Sequence, residues 1–551
     1  MRVGRTPWLS SLSRFPFSYA PLPTDESEHI DIAMEDKKKA KELEAGLGDD
    51  AGVTVHVSEK DVDTAAQVGF NIDTLDPAEA ERVRKKIDRH ILPLMMVLYW
   101  VQFMVRTTLG NSAILGIQQS NHLTTNQYNW LGTIFYISYL VFELPQNLAL
   151  QRFKVGKWMS INIFVWAVAL CAHAACHSFG ALFALRFILG MCEGSITAGF
   201  MIVTSMFYTR QEASVRVGYW FLMNGTAQIV SGFLSFGALH IHTPSFEPWQ
   251  WYMIITGTIT LIVAASYWVW FPDSPTTARF LTPRERAVAI ERIKVNQTGV
   301  ENKKFKREQL IEALTDPKTW LFALFSALDN IPNSLTNQRS IIVKSFGFNV
   351  LQTALLGCVD GIVEIVTIWT GVTLVSKWKN SRAYVAVIYF IPNIAGTIMI
   401  NTIPWENKIG LLFSIWLTGV GTTGFVLSLG WVTAVTAGHT KRVTVQGIML
   451  IGYCVGNSAG PFMWQEKYKP RNHVPWIIIG VCYVICPLIL LVIRYMLAAE
   501  NKRRDAEGPD DSYEDVYIDV VLEDGTTVTR KVDKAFLDLT DIQNRDYRYV
   551  L

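Results

Sequence analysis

Charge is what this sequence has little of. Only 18% of its 551 residues are Asp, Glu, Lys or Arg, where a soluble protein carries about a quarter. Lys and Arg number 50 against 48 Asp and Glu, leaving a net charge of +2. No long basic block and no aromatic-interleaved basic stretch occurs, so no nucleic-acid partner is expected. The seven cysteines (Cys171, Cys176, Cys192, Cys358, Cys454, Cys482 and Cys486) form no CxxC pair. That argues against a disulfide framework or a zinc site, and they read as buried thiols acting as small hydrophobes. His173, His240, His242 and His439 are isolated, and no metal site is expected. HExxH, GxSxG, a Walker loop and a strand-preceded GxGxxG are all missing, which excludes the common hydrolases and ATP-driven pumps. No enzyme activity and no cofactor are expected, and no cleavable signal peptide is read at the start of the chain.

What is present is oil. Half the residues are hydrophobic and 12% are aromatic, gathered in runs of about twenty, the length that crosses ~30 Å of hydrocarbon as a helix. Spans are expected at 91–110, 128–150, 158–176, 181–206, 215–239 and 251–271, then at 318–343, 349–376, 383–400, 408–430, 441–463 and 473–497. The expected fold is an all-α membrane protein with 12 transmembrane helices in two six-helix halves. Residues 1–90 read as a largely disordered cytoplasmic arm, ending in an amphipathic helix at 76–90. Residues 91–271 form the first bundle, 272–317 a cytoplasmic central loop, 318–497 the second bundle and 498–551 a polar cytoplasmic tail. Loops after spans 2, 4, 8 and 10 carry Lys and Arg, whereas those after spans 1, 3 and 5 have none. The positive-inside rule then puts both termini in the cytoplasm. The loop at 465–475, with three basic residues, breaks the pattern. The sequon Asn296-Gln-Thr298 would lie in the cytosol, unused.

Ionisable residues inside spans are costly and mark pathways. "ALRFILGMCEGS" (184–195) holds Arg186 and Glu193 among small and apolar residues. At a rise of ~1.5 Å per residue, Arg106 lies about 22 Å along span 1 from the cytosol and Arg186 about 8 Å into span 4 from outside. Both arginines fall in the outer half, with Glu193 ~10 Å deeper. Two guanidinium forks at one level suit a carboxylate, sulfonate or phosphate. Glu193 nearby would carry a proton. The rival reading is a structural Arg186–Glu193 pair, direct or through another helix, that locks span 4 in place. Glu143 and Glu364 occupy equivalent places in spans 2 and 8, as parts of an inner gate or as structural groups. Asp329 and Asp360 come near the midplane, as site members or interhelical bonds. Arg339 is placed at the outer mouth. Asn330 beside Pro332, Asn457 beside Gly456 and Gln228 in span 5 are polar candidates for substrate contact or for packing.

Several stretches carry a family likeness. "NQYNWLGTIFYISYLVFELPQNLALQRF" (126–153), "LRFILGMCEGSITAGF" (185–200), "SFGFNVLQTALLG" (345–357) and the tail "LDLTDIQNRDYRYVL" (537–551) resemble the major facilitator superfamily, in the anion:cation symporter branch that contains the fungal allantoate permeases. The resemblance implies proton-coupled uptake of small organic anions at the plasma membrane: ureides such as allantoate, dipeptides, vitamin carboxylates or sulfonates. It implies substrate contact by Arg106 and Arg186, and proton coupling by Glu193. Val105 stands where many relatives carry Asp, so a second titrating acid is missing from span 1. The exchanger motif is absent from "NGTAQIVSGFLSFG" in span 5, which favours uptake over efflux. A secondary active transporter working as a monomer by alternating access, with the proton as coupling ion, is the expected function. A nutrient-sensing transceptor and an uncoupled anion exporter or exchanger are the alternatives.

Overall fold

Twelve helical columns are present among the described residues of the computed structural model, which are 55–57, 76–241, 243–294, 305–508, 516–521, 527–531 and 538–551. Most of the N-terminal arm and the sequon at 296–298 lie outside them. The first half comprises α1 (Pro77–Ile114), α2 (Thr125–Arg152), α3 (Val155–Ala172), α4 (Phe179–Phe207), α5 (Arg210–Phe221 continued by Met223–Ala238) and α6 (Pro248–Trp270). In the second half, α7 (Pro317–Asn330) passes through a 3₁₀ turn, Pro332–Ser334, into Leu335–Ser345. Then come α8 (Val350–Lys377), α9 (Arg382–Thr402), α10 (Lys408–Leu417 to Thr422–Ala434 through a 3₁₀ turn), α11 (His439–Ala459) and α12 (His473–Glu507).

The helix starts are written locally. Thr124 and Gln127 make a reciprocal capping box at α2, and Asn349 and Gln352 make the same one at α8, its counterpart in the second half. Asp316 caps α7 ahead of Pro317. Inside α7, Pro332 removes a backbone donor and the helix breaks there. The break in α5, at Leu222, has no proline to announce it. The amphipathic stretch at 76–90 is no separate helix but the first turns of α1, which runs on through Pro93 without a break.

By length and composition, eight of the columns are apolar enough to cross a membrane. The four that fall short, α2, α5, α7 and α11, take part in the contact between the halves. There Tyr128 on α2 donates to the Asn337 carbonyl at 3.1 Å, Gln338 on α7 donates to Asn129 at 3.1 Å, and Thr133 donates to the Ser458 carbonyl at 3.2 Å. Gly225 on α5 and Gly361 on α8 meet backbone to backbone. Within the first half, Gly190 on α4 lies against α2, where an added Cβ would overlap the Phe135 carbonyl and the Ser138 hydroxyl. Gly190→Ala should therefore cost about 1–3 kcal/mol, read as a lower melting temperature of the detergent-purified protein.

The central loop and tail are more ordered than a polar connector and a polar tail suggest. Helix Pro283–Lys294 lies on α1 through Lys86–Glu285 (2.7 Å), and Arg292 holds Glu212 (2.8 Å). Two short tail strands, Val516–Val521 and Thr527–Lys531, pair antiparallel, Tyr517 opposite Lys531. Residues 538–551 fold back onto the second half. Asp541 meets Lys318 at the start of α7 and Lys441 at the start of α11 (3.0 Å). Lys441, 0% exposed, also touches Glu312 (2.8 Å) and Asp316 (2.9 Å). Arg504 on α12 is buried against the Tyr547 carbonyl (2.8 Å) and the Tyr549 hydroxyl (3.1 Å).

Candidate functional site

A cavity of about 190 Å³ opens between the halves. Its wall comes mainly from α1, α5, α7, α8 and α10, and the breaks in α5, α7 and α10 all lie along it. Irregular backbone at this depth is tolerated where it borders a cavity.

Arg106 faces the cavity from α1 and is 15% exposed. Its guanidinium binds the Glu193 carboxylate on α4 directly, and Nη1 donates to the Tyr453 hydroxyl on α11 at 2.5 Å. Gln102, one helical turn before Arg106 on the same face, donates to the same Glu193 oxygen at 2.9 Å. Glu193 itself is 0% exposed, and its other oxygen, Oε2, has no hydrogen-bond partner among the described residues. Arginine, carboxylate and tyrosine thus come from α1, α4 and α11 and tie the two halves together behind the cavity.

Arg186 sits elsewhere. It is 3% exposed, does not line the cavity and donates to the Thr108 hydroxyl at 3.3 Å. Arg186 does not join Arg106 at the cavity, and a direct Arg186–Glu193 pair is not present; both groups instead bind α1, Arg186 through Thr108 and Glu193 through Gln102 and Arg106. The second arginine at the cavity is Arg339 on α7, which pairs with Asp360 on α8 at 2.7 Å. It lies on the segment of α7 that follows the break at Pro332.

Glu143 and Glu364, read as parts of an inner gate or as structural groups, do not share one site. Glu364 lines the cavity, bound by Asn224 (3.2 Å) and Gln228 from α5. Glu143 is buried off the cavity, where Asn147 donates to it at 3.0 Å. Asp329 and Asn330 both line the cavity. Asn457 does not: it donates to Asn330 (3.1 Å) and accepts from Asn333 (2.6 Å), splicing the broken α7 to α11. Gln102, Asn224 and Tyr453 were missed. For Gln102 the signal was its four-residue spacing from Arg106; for the other two, which lie on partner helices, there was none.

A model of the Major Facilitator Superfamily matches residues 95–461. An allantoate permease of Saccharomyces cerevisiae is 31% identical, over 91% of this chain and 92% of its own. A thiamine pathway transporter of the same yeast is 33% identical over 85% of this chain and 86% of its own. Among solved structures, a proton:xylose symporter bound to 6-bromo-6-deoxy-D-glucose aligns with a TM-score of 0.59 at 12% identity, covering 73% of this chain and 94% of the other. That last likeness speaks to the fold alone. The chain is a multi-pass membrane transporter of the allantoate-permease-like kind, handling small molecules and not an enzyme.

Proposed function

The chain belongs to the major facilitator superfamily, and from that premise we propose that it carries a small organic anion inward across the plasma membrane together with a proton. The observation that carries the reading is the Arg106–Glu193 contact at the cavity wall. An ionised Glu193 occupies the guanidinium that an incoming carboxylate, sulfonate or ureide acid would bind. A proton on Glu193 frees that guanidinium, so proton and substrate bind better together than apart, which is what a symporter requires. The unpartnered, buried Oε2 supports this, because leaving an ionised carboxylate oxygen so costs far more than leaving a protonated one. Once both are bound, the buried charge is neutralised and the halves can rock around the site. Arg186 lies off the cavity and has no part in this substrate contact.

In this reading the protein works as a monomer with both termini in the cytoplasm, and the proton is the coupling ion. The allantoate permease among the relatives supports the anion class. The test is uptake of labelled ureides, dipeptides, nicotinate, pantothenate and sulfonates into cells expressing the chain. At least one should accumulate severalfold faster at about pH 5 than at about pH 7.5, and the stimulation should vanish with a protonophore. Uptake that ignores both pH and protonophore removes proton coupling.

A further inference from the structure

The cavity carries more acid than an anion site needs. Two cations face it, Arg106 and Arg339, and each is already matched, by Glu193 and by Asp360. Two further carboxylates, Asp329 and Glu364, line the same space. Among the described residues Glu364 is met by the amides of Asn224 and Gln228 and by the Thr422 hydroxyl, with Arg339, already paired to Asp360, the cation in electrostatic reach, and Asp329 has neither a hydrogen bond nor an ion pair. Asn224 adds a second, independent sign. It is 3% exposed and lines the cavity; its amide nitrogen goes to Glu364, leaving Oδ1 without a donor. The α5–α8 wall therefore offers more acid than its one neighbouring cation, Arg339, can match, while the α1 wall offers a guanidinium. Tyr99, Phe221 and Phe425 also line the cavity, and aromatic rings can favour a cation.

We propose that the substrate is a zwitterion: its anionic group goes to Arg106, and its ammonium, or another N–H cation, to Glu364 and the free Asn224 oxygen. This rests on the anion reading above and narrows it from organic anions in general to those that also carry a positive nitrogen. Val105, in place of an acid on α1, fits the same division, with acid concentrated on the opposite wall.

The test reads binding without any gradient, so failure of proton coupling leaves it unaffected. Purified full-length protein in detergent is melted at neutral pH with the common amino acids and simple dipeptides, each beside its N-acetyl derivative, and with nicotinate and allantoate. The expected result is that some zwitterion stabilises the protein at a concentration about tenfold or more below its N-acetyl partner, since losing the cation leaves the buried acid unpaired. Glu364→Gln should shrink that gap while the N-acetyl form still binds. The inference is overturned if N-acetyl forms or plain anions stabilise as well as zwitterions, or if no zwitterion stabilises the protein at all. The wild-type comparison decides the matter even where the variant does not fold.

Discussion

Arg106→Gln should reduce uptake roughly 100-fold or more, the size expected when one partner of a desolvated charge pair is removed. Two losses combine. The substrate's anionic group loses the arginine that faces the cavity from the first half, and Glu193 is left buried with Gln102 and no cation. Lysine would be a poor substitute, because the guanidinium reaches Glu193 and the Tyr453 hydroxyl at once and a single ammonium lacks that fork. Arg106→Lys should therefore recover only a small part of the flux. The measurement is initial-rate uptake normalised to surface protein. Near-normal flux in Arg106→Gln would place substrate binding elsewhere in the cavity, with Arg339 the next candidate.

Lys441→Met should be the most destabilising change outside the cavity, by about 3–5 kcal/mol, as when one partner of a buried ion pair is removed. Among the described residues, Lys441 is the one cation that touches Glu312, Asp316 and Asp541 together. Without it Asp316 and Asp541 share Lys318, and Glu312 is left with the Thr540 hydroxyl. Burial pushes the Asp541 carboxyl up, yet Lys318 and Lys441 hold it down to about 2. A carboxyl depressed below its ordinary range of 3.8 contributes stability that is complete above that range and is lost as pH falls through about 2. The wild-type clasp should thus be indifferent to pH between neutral and mildly acid conditions. In Lys441→Met, with part of that hold gone, mild acid should restore some stability by protonating an acid. Melting temperatures of both proteins across pH check this; a flat profile in the variant would deny the lysine its role.

The helices were largely legible. Capping residues such as Thr124, Gln127, Asn349 and Gln352 are local, and local chemistry is what a linear reading captures. Pro332 announced the break in α7 for the same reason. Ionisable residues inside apolar runs are conspicuous, which is why Arg106, Glu193, Asp329, Asp360 and Glu364 were all singled out. Azimuth was not legible. Counting residues places Arg106 and Arg186 at one level but does not say which way α1 and α4 are rotated. The structure turns Arg186 to Thr108 and brings Glu193 to Arg106. The tail was illegible for another reason: "LDLTDIQNRDYRYVL" has no periodicity, and its buried Asp541, Tyr547 and Tyr549 make sense beside Lys318, Lys441 and Arg504, which stand 223 and 100 residues before Asp541 and 43 before Tyr547.

The central claim is that Glu193 passes the proton whose binding frees Arg106. Its most direct measurement compares wild type with Glu193→Gln in two assays, net uptake across an imposed pH gradient and exchange of labelled for unlabelled substrate without one. The account predicts that the variant loses acid-driven accumulation yet keeps exchange, because glutamine resembles a permanently protonated glutamate. Acid-driven accumulation that persists undiminished in Glu193→Gln would contradict it.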